Sequence, residues 1–164
     1  MKALVPPDLF YVQAARSWLE SGKPVAAQKE LDRIPPESRD HPDVLEVQWS
    51  IEAQSRRWQT GLDIAEALIQ ATPERPTGWI KRSFVLDELN RAQDALDRLF
   101  PAAKRFPEIP IIPYNLACYA SELQLWWEAE RWLSASFQAG GADFRQMALR
   151  DKQLQHLWPR VSSL

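Results

Sequence analysis

Apolar side chains recur along this chain at the spacing of amphipathic α-helices. The clearest example is the segment 113–137, where apolar residues three and four positions apart form two successive stripes: Leu116, Ala117, Ala120 and Leu123, then Trp126, Ala129, Leu133 and Phe137. This spacing puts the members of each stripe on one face of a helix. A polar corner at Gln124 separates the stripes, so the segment is predicted to form two consecutive helices.

The two-helix pattern repeats with a period of 34 residues. Pro73 and Pro107 are 34 residues apart, and so are Leu45 and Trp79. A column of small residues and a column of mostly large apolar residues run through four copies: Ala27, Gly61, Ala95 and Ala129, and Leu31, Ala65, Leu99 and Leu133. Small residues in the second helix allow two helix backbones to approach closely. We therefore predict four helix pairs stacked in sequence.

The composition agrees with an all-helical chain. Of 164 residues 5 are glycine and 13 are proline, and no alternating run rich in Val, Ile and Thr is present. Such runs are typical of strands, so the sequence argues against a β-sheet. Pro42 and Pro76 stand where first helices begin and a missing N–H is tolerated. Pro101 falls inside the second helix of the third copy, which it is predicted to kink or break.

The repeat resembles the tetratricopeptide repeat. The matching positions are Tyr11, Ala14, Ala15, Trp18, Gly22, Ala27 and Leu31 in the first copy, Trp79, Ser83, Leu86, Ala95, Leu99 and Pro107 in the third, and Leu116, Ala117, Ala120, Trp126, Ala129 and Leu133 in the fourth. The second copy departs from the pattern. There Gln48 replaces the usual leucine, Trp49 the usual small residue and Glu52 the usual aromatic residue. The resemblance extends over roughly residues 8–141.

The resemblance implies an all-α fold, a right-handed α-solenoid of antiparallel helix pairs that forms a TPR-like superhelix. We expect a single domain over residues 1–164, with repeats at about 8–41, 42–75, 76–109 and 110–142. Residues 143–158 carry an apolar face and follow the joint Gly140-Gly141. They are predicted to form a C-terminal capping helix, because the end of a repeat array needs a solvated cap.

Catalytic chemistry finds little support in the sequence. Cys118 is the single cysteine, and the two histidines, His41 and His156, lie in a loop and in the cap. A nucleophilic thiol needs a base or cation nearby, and nothing in the spacing brings either histidine close. These residues do not form a metal-ligand cluster, and no glycine-rich phosphate loop is present. We therefore expect no catalytic residue, no cofactor and no metal, so the chain is not predicted to be an enzyme.

Charge and hydropathy narrow the range of partners. A net charge of -2 argues against a nucleic-acid binder, which usually carries a basic excess. The start of the chain, MKALVPPDLF, lacks the apolar core of a signal peptide. The least polar run is far shorter than a membrane span, and a single cysteine is compatible with a reducing compartment. We predict a cytoplasmic protein that binds neither nucleic acid nor membrane.

A surface for a protein partner is the remaining expectation. In the resembled family, first helices line a concave groove, which implies these partner-binding residues here: Val12, Arg16, Asp43, Thr77, Ile80, Phe84, Asp87 and Tyr114. The implied function is a scaffold or adaptor that holds a protein or peptide segment, apolar or basic and amphipathic. The lysine and asparagine by which chaperone-binding members hold a carboxylate are replaced by Val12 and Arg16, so that activity is not predicted.

Three alternatives stay open at the level of sequence. Neighbouring helices could simply cover Ile80 and Phe84. The chain could instead self-associate as a structural repeat protein. The tryptophan-rich end of the fourth repeat, which carries Trp126, Trp127 and Trp132, could be a second interaction surface, because tryptophan is enriched at binding hot spots.

Overall fold

All regular secondary structure in residues 4–161, the part of the chain that this computed structural model describes, is helical. Its α-helices, in chain order, are α1 Asp8–Glu20, α2 Pro24–Leu31, α3 Pro42–Gln54, α4 Trp58–Ala71, α5 Pro76–Glu88, α6 Ala92–Arg105, α7 Ile111–Glu122, α8 Trp126–Ala148 and α9 Trp158–Val161. Short 3-10 helices cover Pro36–Ser38 and Lys152–Leu157. No strand occurs in this range, and the prediction of an all-α fold is confirmed.

The corners between paired helices share one backbone geometry. Gly22, Arg56, Asn90 and Gln124 each follow a first helix, are spaced 34 residues apart and have φ values of 68°, 54°, 58° and 61°. The next residue donates its backbone N–H to a carbonyl five positions back, as Arg57 does to Glu52 at 2.9 Å. This is the Schellman arrangement, which satisfies carbonyls at the end of a helix. The 34-residue period is therefore present in the backbone as well as in the side chains.

The chain divides into two compact units, and the boundary along the sequence falls between Val85 and Leu86, inside α5. The core of the first unit is built from the apolar faces of α1 to α3, and its buried members are Val12, Ala15, Leu19, Ala27, Leu31, Ile34, Val44, Val47 and Ile51. Ala27 and Ala65 are fully buried. Ala27 belongs to the column of small residues and Ala65 to the column of mostly large apolar residues. Both allow the close helix contacts that the sequence pattern predicts.

The second unit is organised around α7, which packs against α6 and α8. Leu116, Ala117 and Ala120 are fully buried, and so are Leu99 of α6 and Leu133 of α8. Pro101 lies on the exposed side of α6, and the helix continues through it from Ala92 to Arg105. The predicted break does not occur, because water can hydrogen-bond the carbonyl that an exposed proline leaves unpaired.

The predicted capping helix over residues 143–158 is not one helix. Gly141 interrupts the helical geometry of α8 with a φ of 65°, and α8 then continues to Ala148. A new turn starts at Asp151, whose side chain accepts a hydrogen bond from the Gln153 backbone N–H at 2.9 Å. We call residues 149–161 the C-terminal segment. Its buried residues Leu154 and Val161 hold it against the rest of the second unit, to which it belongs.

Candidate functional site

A depression of about 360 Å³ opens on the first unit. It is lined by three first helices, with Arg16, Leu19 and Glu20 from α1, Glu46, Val47, Ser50 and Gln54 from α3, and Lys81 from α5. The α3 positions are spaced at three and four residues, so they share one helix face. We call this depression the groove pocket.

Charged side chains of both signs surround the groove pocket. Arg16 Nη2 lies 3.8 Å from Glu46 Oε2, and because both groups are partly exposed this pair contributes about 1 kcal/mol or less. Burial lowers the pKa of Lys81 to about 8, the charge of Glu46 opposes that shift, and Arg16 adds to it. Lys81 therefore keeps most of its charge at neutral pH and loses it in mildly alkaline solution.

Aromatic rings form the floor next to Lys81. The Lys81 ammonium lies 3.7 Å from the centroid of the Trp49 ring, within the range of a cation–π contact. Phe84 packs edge-on against Trp49 and Trp58, with ring centroids 5.9 Å and 6.0 Å apart. Phe84 nevertheless stays 39% exposed. We call Trp49, Trp58 and Phe84 the aromatic shelf, and it offers an apolar surface beside a set of charges.

The predicted site residues of the first unit do not lie together in one site. Arg16 lines the groove pocket and Phe84 is part of the aromatic shelf. Asp43 starts α3 beside His41, whose Nδ1 accepts the Asp43 backbone N–H at 3.2 Å. Val12 is 2% exposed and belongs to the core. Thr77 and Ile80, both on α5, are half-buried.

The predicted residues of the second unit, Asp87 and Tyr114, contact the C-terminal segment. The Tyr114 hydroxyl donates to Asp151 Oδ2 at 2.9 Å, and the Gln153 side-chain amide donates to Asp87 Oδ2 at 3.3 Å. Tyr114 is 4% exposed. Burial raises the pKa of Asp87 to about 6, the Gln153 amide opposes that shift, and Glu122 adds to it. The chain itself therefore covers this part of the predicted lining.

Cys118 is part of the same contact. Its thiol lies 3.7 Å from Asp151 Oδ2, to which it donates a hydrogen bond, and the residue is 4% exposed. Burial raises the pKa of the Cys118 thiol, and the nearby Asp151 carboxylate raises it further. The thiol is therefore protonated at physiological pH, whereas a nucleophilic cysteine needs a lowered pKa. Within residues 4–161, no three His, Cys, Asp or Glu side chains are arranged to hold a metal ion.

The tryptophan-rich end of α8 exposes two of its three tryptophans to different degrees. Trp127 is 72% exposed and Trp126 is 38% exposed. The Trp126 ring packs against His156 of the C-terminal segment, with ring centroids 5.3 Å apart. Trp132, further along the same helix, packs edge-on against Phe100 of α6. No helix of the described range is long and apolar enough to cross a membrane.

Sequence searches leave the family open, because no family model matches the chain and no curated protein matches it significantly. Solved structures of MamA proteins share its arrangement of helices. A MamA RS-1 ArsTM double mutant has a TM-score of 0.73 at 13% identity, and the match covers 98% of this chain and 96% of that one. The crystal structure of MamA protein has a TM-score of 0.71 at 12% identity, with 81% and 73% covered. The chain shares the fold of these structures, a TPR-like arrangement of helical repeats.

This fold gives the groove pocket a simple origin. In this arrangement of helical repeats, α1, α3 and α5 are the first helices of successive helix pairs, and every residue of the groove pocket comes from them. Of the eight predicted site residues, Arg16 lines this pocket and Phe84 lies on the adjoining shelf. Sequence reasoning did not assign Lys81 or Trp49 to the site. Their signal was a lysine next to an apolar stripe and a tryptophan at a position where the repeat usually has a small residue.

Proposed function

We propose that this chain is a non-catalytic protein-interaction scaffold that holds a segment of a partner protein in the groove pocket and on the aromatic shelf of its first unit. The observation that supports it is the exposed Phe84 ring, which packs on Trp49 next to the half-buried Lys81. Large rings that remain accessible beside fixed charges are typical of protein-binding hot spots. A helical-repeat fold supplies the extended surface that such binding needs.

The chemistry of the site suggests what the segment carries. Ile80 and Phe84 would supply affinity by burying an apolar side chain of the partner. Arg16 and Asp43 would orient the segment through charge, as would Lys81 and Glu46 within the pocket. Asp87 and Tyr114 would take part only where the C-terminal segment moves aside. We further propose a cytoplasmic location, with no nucleic acid, membrane or cofactor involved.

A matched pair of substitutions tests the proposal. Phe84→Glu places a charge on the aromatic shelf, whereas Phe10→Glu makes the same change at a residue of α1 that is 59% exposed and outside the site. Both proteins, checked for helicity by circular dichroism, are used with wild type to capture partners from a lysate. A captured protein is then purified, and its affinity for each variant is measured by calorimetry.

The expected result is binding by wild type and Phe10→Glu, with Phe84→Glu weakened by about tenfold or more, because a charge cannot be buried against the shelf without cost. Equal affinity of all three proteins would refute a site on the aromatic shelf. Recovery of this chain alone, together with a mass that rises with concentration in light scattering, would show self-association as the function instead.

A further inference from the structure

A second depression, of about 400 Å³, lies on α6 and α8 of the second unit. Its lining includes Leu96, Asp97 and Phe100 from α6, and Leu125, Glu128 and Trp132 from α8 with the turn before it. Positions 93, 97 and 100 share one face of α6, and positions 125, 128 and 132 share one side of α8. This surface is distinct from α7 and from the C-terminal segment that α7 contacts.

Two aromatic rings form a corner in this depression. The centroids of Phe100 and Trp132 are 5.8 Å apart and their planes are inclined by 85°. Phe100 is 54% exposed, so part of its surface faces solvent. The faces of aromatic rings carry partial negative charge and attract cations, most strongly for tryptophan. Two nearly perpendicular rings therefore offer a cation contact on two sides.

The charges around this corner have a single sign. Asp97 and Glu128 line the depression, and among residues 4–161 no lysine, arginine or histidine does. Asp97 accepts one hydrogen bond, from the Gln93 side-chain amide at 3.0 Å. No ion pair engages either carboxylate in the part of the chain that the structure describes. Both carboxylates are exposed and can accept hydrogen bonds from a ligand.

From this arrangement we infer that the depression is a binding site for the cationic side chain of a lysine or arginine on a partner protein. The aliphatic stem of such a side chain would pack on Leu125, which is 40% exposed and lines the depression. Its charged head would lie at the ring corner within reach of Asp97 and Glu128. The occupant is a cation because the rings and the carboxylates favour the same charge, whereas a purely apolar ligand would leave both carboxylates unused.

The indole N–H signals in a two-dimensional NMR spectrum of the full chain provide the test. The sequence has 8 tryptophans, and the Trp132 signal is identified by its loss in Trp132→Phe. Three capped tripeptides are titrated: Ac-Ala-Lys-Ala-NH2, Ac-Ala-Arg-Ala-NH2 and a norleucine analogue that keeps the aliphatic stem without the charge. A double variant, Asp97→Asn with Glu128→Gln, is compared with Asp40→Asn plus Glu108→Gln, which removes the same charge from exposed positions outside the depression.

We expect a saturable shift of the Trp132 signal with the lysine or the arginine peptide, weakened by added salt and absent with norleucine. Affinity should fall by about tenfold in the Asp97, Glu128 variant and stay unchanged in the charge-matched control. An equal response to norleucine would overturn the inference, as would full binding by the Asp97, Glu128 variant. The absence of a Trp132 response to both the lysine and the arginine peptide would also overturn it. The same holds if a second copy of this chain covers the surface, which a concentration-dependent self-association that Phe100→Glu abolishes would show.

Discussion

The ion pair between Glu52 and Arg57 makes the sharpest prediction about stability. Glu52 lies in α3 and is 4% exposed, and Arg57 follows the corner between α3 and α4. Arg57 Nε and Nη2 donate to the two carboxylate oxygens at 2.5 Å and 3.0 Å, and the Gln48 amide donates a further hydrogen bond at 2.7 Å. Replacing Arg57 by methionine keeps the aliphatic stem and leaves the buried carboxylate with one side-chain donor.

The expected loss follows from the two hydrogen bonds that Arg57→Met removes. A hydrogen bond to a charged group contributes about 1.5–3 kcal/mol. The Arg57 side chain is 53% exposed, so solvent screening reduces this value, and we expect a loss of about 2 kcal/mol in the free energy of unfolding. The loss is limited to about 4 kcal/mol, because at that cost the Glu52 carboxylate would take up a proton at pH 7 instead of staying charged and unpaired.

The pH dependence has a definite sign. The Arg57 hydrogen bond lowers the pKa of Glu52, burial opposes this, and the Gln48 hydrogen bond lowers it further. The folded protein therefore binds the proton less readily than the unfolded chain does. The stabilisation is present above the unfolded pKa of about 4.3 and is lost as the pH falls through the lowered folded pKa. Arg57→Met should consequently cost much less in acid than at neutral pH.

Urea denaturation at pH 7 and at about pH 2.5 measures both effects. Native-state hydrogen exchange of the α3 and α4 amides assigns the loss to this region, because helix pairs of a repeat protein can unfold separately. Arg56→Met is the matched control, since Arg56 is the exposed neighbour and should change stability by less than about 0.5 kcal/mol. A loss below that value for Arg57→Met, or an equal loss at both pH values, would refute the reasoning.

Three further predictions concern single groups. Lys81 should titrate near pH 8 by NMR of its side chain, and Glu46→Gln should lower this pKa further. Between pH 8 and the unfolded pKa of about 10.4, the free energy of unfolding should rise with pH, because the unfolded chain keeps the proton that the folded protein has lost. An ordinary lysine pKa in the folded protein would contradict the prediction. Cys118 should react with Ellman's reagent about 100-fold more slowly in the native than in the unfolded protein, and equal rates would show an accessible thiol. Gln124→Gly should raise the free energy of unfolding by about 0.5–1 kcal/mol, since Gln124 has a φ of 61°, and a loss of stability would contradict the assigned strain.

The backbone of the repeat was predictable because its cause is local. The small and large columns, the polar corners and the helix-opening prolines each depend on a few neighbouring residues. Of the four corners with positive φ, Gln124 lies where a polar corner was predicted, and Gly22, Arg56 and Asn90 precede it at the predicted 34-residue period. Three of these four residues are not glycine, so the sequence indicates the position of each turn but not its left-handed geometry.

The packing of the C-terminal segment on Asp87 and Tyr114 could not be predicted, because its cause is not local. Helical spacing shows which residues share a face, but it contains no information about which distant segment packs on that face. Tyr114 meets Asp151 across 37 positions of the chain, and Asp87 meets Gln153 across 66. The capping helix was predicted as one piece because the apolar residues of 143–158 have helical spacing, whereas local geometry at Gly141 and Asp151 divides the segment.

The departures of the second repeat from the family pattern have a common structural consequence. Gln48 and Glu52 replace apolar packing by hydrogen bonds, in which half-buried Gln48 and exposed Arg57 both donate to the buried Glu52 carboxylate. Trp49, in place of a small residue, extends to the ring contact with Phe84 and to the Lys81 ammonium. Local rules are most often broken where a protein uses the residue for something other than packing. Trp49, one of the three residues that weaken the repeat signal, thus forms part of the aromatic shelf, which is why we place the partner site there and not on a more regular repeat.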